Sequence, residues 1–226
     1  DEETDIVIFT KEQLQQLDDY FKSSHAETAY LLGKYCGLRI NECYGLKWDH
    51  VNLEKGTTPT PKTAYDLIAV EKNGKLINMD AQAPNKVFAE WALQFDPTAT
   101  AVHSEYRFGQ SRLDFCLETP QGLHLVEVKG VTLEDGGHTR FPDAPTERGV
   151  KHLHELMRAV ELGHRATAFF VIQMADVVDF APNDATHPAF GEALRQAKAA
   201  GVNITAYSCR VTPDSMAIDQ PVEVLL

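Results

Sequence analysis

The sequence predicts an α/β fold: a mixed sheet with helices, preceded by a small all-helical segment. Three observations predict it. Beyond residue 84 the hydrophobic spacing alternates between helical and strand periods, in the order helix, three strands, helix, strand, helix, strand. Residues 166–173 are almost continuously apolar, as in a strand covered on both faces. The first 56 residues carry helical spacing only.

Each element has its own signal. Thr10-Lys-Glu-Gln13 fits a capping box, with Leu14, Leu17 and Phe21 following at helical spacing. A second helix covers about residues 26–36 and stops at Gly37; a third covers about 40–46. Gly56-Thr-Thr-Pro-Thr-Pro61 breaks the pattern and reads as a linker. Segments 64–70 and 75–79 then form a hairpin across Asn73-Gly74. Pro84 opens a helix carrying Val87, Phe88 and Trp91, with Leu93 and Phe95 at its end. Strands follow at roughly 99–108, 112–118 and 123–133, and Gly136-Gly137 with Pro142 marks a loop. Thr146 or Asp143 caps a helix whose Val150, Leu153, Met157 and Val160 lie on one face, ending at Gly163. After the apolar strand come a helix over 188–200, stopped by Gly201, and a last strand over 203–211. The domains expected are 1–56 helical, 57–83 linker and hairpin, and 84–226 the mixed-sheet domain.

Composition is that of a soluble globular protein. No apolar run is long enough to span a bilayer, and no signal-peptide pattern opens the chain. Cys36, Cys43, Cys116 and Cys209 have no paired spacing and read as reduced thiols in a cytoplasmic protein. The net charge of -12 argues against non-specific duplex binding through a basic surface, so a polyanion needs a local basic patch or a bound cation.

The chemistry is concentrated in SRLDFCLETPQGLHLVEVKG, residues 111–130. A turn centred on Pro120-Gln121 sets Leu117 opposite His124, Phe115 opposite Val126 and Leu113 opposite Val128, an apolar core face. The other face pairs Cys116 with Leu125, Asp114 with Glu127 and Arg112 with Lys129. Directly opposed Cβ atoms stand about 4.5–5.5 Å apart, where like charges repel. A divalent cation between Asp114 and Glu127 would remove the conflict. Mg²⁺ takes oxygen ligands at about 2.0–2.1 Å, and the Val128 carbonyl could supply a third. Lys129 projects to the same face, where it could orient a water or stabilise charge on a phosphate. A solvated hairpin face, with Arg112 and Lys129 neutralising the acids diagonally, accounts for the same residues.

The pattern Asp114-x(12)-Glu127-Val-Lys129 on the second and third strands resembles the core of the PD-(D/E)XK nucleases. More specifically, SRLDF, EVKGVTL and FPDAPTERGVKHLHELM resemble the sugar fermentation stimulation protein family, SfsA. KTAYDL at 62–67 and Asn78-Met-Asp with Pro84-Asn85 extend the likeness to about residues 60–226. The resemblance implies a PD-(D/E)XK nuclease-like domain in a bacterial, DNA-binding protein connected with sugar utilisation. It implies Asp114, Glu127 and Lys129 as a catalytic-type triad, with Mg²⁺ (or Mn²⁺) on Asp114, Glu127 and the Val128 carbonyl. Glu90 and Glu105 are candidate accessory acids, against solvated positions. Thr146-Glu-Arg-Gly149 opens a helix whose free N–H groups suit a phosphate. Arg148, Lys151, His152 and Arg112 are the candidate phosphate or DNA contacts, against capping and a solvated face.

The first 56 residues carry a second likeness. YLLGKYCGLRINECYGLKW, residues 30–48, resembles the start of a tyrosine recombinase (phage integrase) catalytic domain, with Arg39 at the phosphate-contacting position and Glu42 beside it. No H-x-x-R motif and no C-terminal tyrosine in a recombinase context follow, so strand exchange is not expected. The SfsA family carries an OB-fold-like domain where this helical segment stands, and the chain reads as a join of two families near residues 56–62. Three functions follow in order: a Mg²⁺-dependent phosphodiesterase acting on DNA, a non-catalytic DNA-binding regulator of sugar metabolism, and a recombinase remnant.

Overall fold

The computed structural model describes residues 68–72 and 74–226, with Asp19 and Lys22. The chain divides into two units, Asp1–Leu67 and Ile68–Leu226, and the elements described here belong to the second. The expected helices before residue 56, the linker, the strand start at 64–67, Asn73, Arg39 and Glu42 lie outside the described residues.

The expected hairpin opens the region. Strands β1 (Ala69–Lys72) and β2 (Lys75–Asn78) pair antiparallel with Val70 opposite Ile77. Helix α1 (Ala83–Phe95) follows, with a proline in its first turn, where no intrahelical donor is needed, and Val87, Phe88 and Ala92 buried. Leu93 is 57% exposed and so is not part of the core.

Next come β3 (Ala101–Phe108), β4 (Ser111–Thr119) and β5 (Gly122–Val131), an antiparallel meander. Two short strands, β6 (Leu133–Asp135) and β7 (His138–Phe141), pair across Gly136-Gly137 where a loop was expected. Both glycines have positive φ, 58° and 89°, which is turn geometry rather than open loop. Helix α2 (Glu147–Glu161) is capped by Thr146, whose hydroxyl accepts the Gly149 N–H at 3.0 Å. Strand β8 (Arg165–Ile172) is buried along nearly its whole length. Strand β9 (Asp179–Pro182), helix α3 (Pro188–Ala199), β10 (Asn203–Val211) and β11 (Met216–Val224) complete the chain. The strand over 203–211 is therefore not the last. β11 alternates between exposed and half-buried residues and carries Pro221, so its sequence gives only a weak strand signal.

The nine strands β3 to β11 form one mixed sheet, in the order β3-β4-β5-β8-β10-β11-β9-β7-β6. β5, β8 and β10 run parallel at its centre. Both faces are covered. Val87 and Phe88 of α1 pack with Phe115, Leu117, Val126, Val128 and Phe169 on one side. Leu153 and Leu156 of α2 and Leu194 of α3 pack with Cys116, Leu125, Phe170 and Ile172 on the other. The second face of the β4–β5 hairpin is thus not an open polar surface: α2 lies on it and buries Cys116, Leu125 and Glu127.

Candidate functional site

The β4–β5 register agrees with the sequence from the turn inwards. Thr119 pairs with Gly122, Leu117 with His124, Cys116 with Leu125 and Phe115 with Val126. There the paired residues stop, one step short of Asp114 and Glu127. On the other side, β3 pairs with β4 on both flanks of Asp114 but not at it, and the facing residue Glu105 has a φ of +56°. A non-glycine residue in that region is strained and changes the direction of the strand. The side-chain alternation slips accordingly. Leu113 packs with Leu153 and Leu156, whereas Phe115, two residues on, packs with Phe88. The expected pairing of Leu113 with Val128 on one face is corrected by this slip.

Asp114 is thereby freed from both ladders, and its carboxylate takes the place of a backbone partner. Oδ2 accepts the Val128 N–H at 2.8 Å, and Oδ1 accepts Asn85 Nδ2 at 3.0 Å from the first turn of α1. So the two acids are brought together not as a cross-strand pair but through this side-chain bond to the strand that carries Glu127. Val128 meets Asp114 by its N–H; the sequence had offered its carbonyl.

Glu127 is only 2% exposed. Its Oε1 receives both Lys129 Nζ, at 2.5 Å, and Nδ1 of His152 on α2. Its Oε2 is buried with no hydrogen-bond partner among the described residues. Burial alone would raise the Glu127 carboxyl, but the His152 hydrogen bond and the Lys129 charge outweigh it and hold the group below its ordinary value. Asp114 goes the other way. Burial first, and then the charge of Glu127, push it above the ordinary carboxylate range despite the Val128 N–H. The two carboxyls are thus coupled, one raised and one lowered, within one buried patch.

The remaining candidates are more scattered. His152 is buried against Glu127 and does not face outward toward a phosphate, because its position on α2 points it at the sheet. Arg148 is exposed, and its Nε donates to His152 Nε2 at 3.4 Å. Lys151 is exposed on α2. Arg112 Nε pairs with Glu105 Oε2 at 2.7 Å, both side chains more than half exposed, so neither enters the Asp114–Glu127 contacts. Glu90 is exposed on α1. Asn85 was not singled out as a site residue, although its place beside Pro84, in the quoted Pro84-Asn85 pair, put it in the first turn of a helix.

Asp114, Glu127 and Lys129 present hard oxygen donors and one ammonium, a set suited to a hard divalent cation such as Mg²⁺. The partnerless Oε2 of Glu127 is the feature such an ion would satisfy. Among the described residues, no group of three or more His, Cys, Asp or Glu converges as metal ligands. The carboxylates that could serve a cation here are therefore two, and any further ligands would have to come from backbone or water.

Known proteins share this arrangement of sequence and fold. The family model "Sugar fermentation stimulation protein RE domain" matches residues 82–215. A "Sugar fermentation stimulation protein homolog" of Clostridium perfringens (strain SM101 / Type A) is 50% identical over 181 residues, covering 78% of this chain and 79% of that protein. One of Desulfitobacterium hafniense (strain Y51) is 53% identical over 166 residues, covering 73% of each. The solved structure of Pyrococcus furiosus SfsA in complex with Ca²⁺ superposes with a TM-score of 0.67 at 29% identity, over 73% of this chain and 74% of that one. With the matched segment spanning α1 to β10 and holding Asn85, Asp114, Glu127, Lys129 and His152, the chain belongs to the sugar fermentation stimulation protein family.

Proposed function

We propose that this protein is a Mg²⁺-dependent phosphodiesterase acting on DNA, with its site at Asp114, Glu127 and Lys129. The observation that carries the reading is the buried Glu127 oxygen that has no partner among the described residues, beside a second carboxylate. Burying such an atom unpaired is costly, and a cation held between the two acids offsets that cost. The solved relative named as a Ca²⁺ complex supports a divalent ion in this family's fold. When bound, the cation supplies positive charge against the negative charge that develops on a phosphate under attack.

The chain's own residues do the rest. Asp114 is held by Asn85 and Val128, so its carboxylate is set before a ligand arrives. Lys129 is tethered on Glu127, where its ammonium can orient a water or meet a phosphate oxygen. Arg148 and Lys151, both exposed on the first turns of α2, are the basic groups best placed to draw in a phosphate backbone.

Cleavage of plasmid and of oligonucleotides in Mg²⁺ tests the reading. Wild type is expected to cleave, and Asp114→Ala to lose at least about a hundredfold in rate. Equal cleavage by both proteins would remove the assignment. Salt-sensitive DNA binding with no cleavage by wild type would favour the non-catalytic DNA-binding regulator.

A further inference from the structure

The two oxygens of Glu127 are treated unequally, and the cause lies on α2. Oε1 takes both donors, Lys129 Nζ and His152 Nδ1, while Oε2 takes none among the described residues. Lys129 reaches Glu127 on a flexible four-carbon stem and so cannot fix the rotation of a carboxylate. His152 can: its side chain is only 7% exposed and has two ring hydrogen bonds to hold it, to Glu127 and to Arg148.

The polarity of the contacts assigns the tautomer of that ring. A guanidinium only donates, so Arg148 Nε–H, 3.4 Å from His152 Nε2, requires Nε2 to accept. The ring proton then sits on Nδ1 and points at Glu127 Oε1, which only accepts. The other tautomer would set the Nε2–H against the Arg148 donor and a bare Nδ1 against the Glu127 acceptor, and a flipped ring would put C–H groups in both places. The start of α2 is itself registered tightly. Thr146 caps it, and a Cβ at Gly149 would stand 2.9 Å from Thr146 Cγ2 and 3.2 Å from Phe190.

We propose that His152 is a positioning residue: held in one tautomer by Arg148, it fixes the rotation of Glu127 so that Oε2 alone is presented to a divalent cation. This rests on the reading of Asp114 and Glu127 as a cation site. It gives His152 the role that hydrogen-bond donors to ligating carboxylates have around metal centres, orienting the ligand without touching the metal.

Calorimetric titration of Mn²⁺ into the full chain tests it, with wild type, Glu127→Gln, His152→Ala, His152→Asn, His152→Gln and Arg148→Ala. His152→Ala is expected to bind Mn²⁺ about 10- to 100-fold more weakly. His152→Asn, whose amide nitrogen stands near the Nδ1 position, is expected to recover most of that loss. His152→Gln carries its amide further out and is not. A merely structural role would show no such Asn-against-Gln difference. Arg148→Ala, at an exposed position, is expected to weaken binding several-fold. If Glu127→Gln binds Mn²⁺ like wild type, the cation reading itself is wrong. If Glu127→Gln loses binding but His152→Ala keeps it, the positioning role alone falls. Should melting curves show His152→Ala unfolded, Arg148→Ala decides: unchanged affinity overturns the tautomer lock.

Discussion

Asp96 shows how much a single buried polar residue can carry in this fold. It sits just past the end of α1 with its side chain 5% exposed, against His124 Nδ1 at 2.8 Å, the guanidinium of Arg165 and the Thr98 hydroxyl at 2.6 Å. His124 passes the network on to Thr167 Oγ1 at 2.8 Å. Burial works to raise the Asp96 carboxyl, but the hydrogen bonds from Thr98 and His124 and the charge of Arg165 win, and it falls to about 2. A depressed folded-state pKa gives stability that is present above the unfolded value of about 3.9 and lost as pH falls toward the folded one. Urea unfolding should therefore show wild type losing stability between about pH 4 and pH 2. Asp96→Asn should have a shallower acid slope, with Glu127 still contributing, and be less stable at pH 7 by about 2 kcal/mol. Equal slopes in the two proteins would contradict the assignment. In the sequence His124 is visible only as a polar residue on an apolar face. Its partners lie 28 and 43 residues away, a separation that no spacing rule reports.

At the scale of elements, the site is a meeting of β4, β5, α1 and α2. Gly130 holds one of these junctions. A Cβ there would stand 2.3 Å from Gln173 Oε1 and 2.7 Å from Pro84 Cγ, at the start of α1. Gln173 in turn donates to the backbone carbonyl of Asn78 at 2.9 Å, tying the end of β8 to the β1–β2 hairpin. Gly130→Ala is expected to cost about 1–3 kcal/mol and to move the first turn of α1, carrying Asn85 away from Asp114. Melting temperature and Mn²⁺ affinity should fall together; an unchanged value of both would show that the junction yields freely. The β4–β5 register was legible because the Pro120-Gln121 turn and the apolar alternation point to the same pairing. The interruption at Asp114 was not, because it arises from the strained backbone of Glu105 on the neighbouring strand. The hairpin of β6 and β7, the four-residue β9 and the half-exposed β11 went unread for a related reason. Short or one-sidedly buried strands carry little hydrophobic pattern of their own and are held by their neighbours.

For the whole molecule, the sequence carried the α/β class and the mixed sheet, and it offered Asp114, Glu127 and Lys129 as candidates. It did not carry the depth of the site. A face read as the open side of a hairpin is roofed by α2, and this turns His152 from a candidate phosphate contact into the partner of Glu127. That roof also bears on how a chain of net charge -12 could approach DNA. With so little overall attraction, the proposed contact with DNA would depend on local basic groups and on the cation. On the proposed function, Asp114 and Glu127 jointly hold a divalent ion. The most direct measurement is anomalous diffraction from crystals soaked in Mn²⁺. It should place one strong peak within about 2.5 Å of Glu127 Oε2 and of an Asp114 oxygen. A fully soaked crystal with no peak there, or with manganese bound only elsewhere, would contradict it.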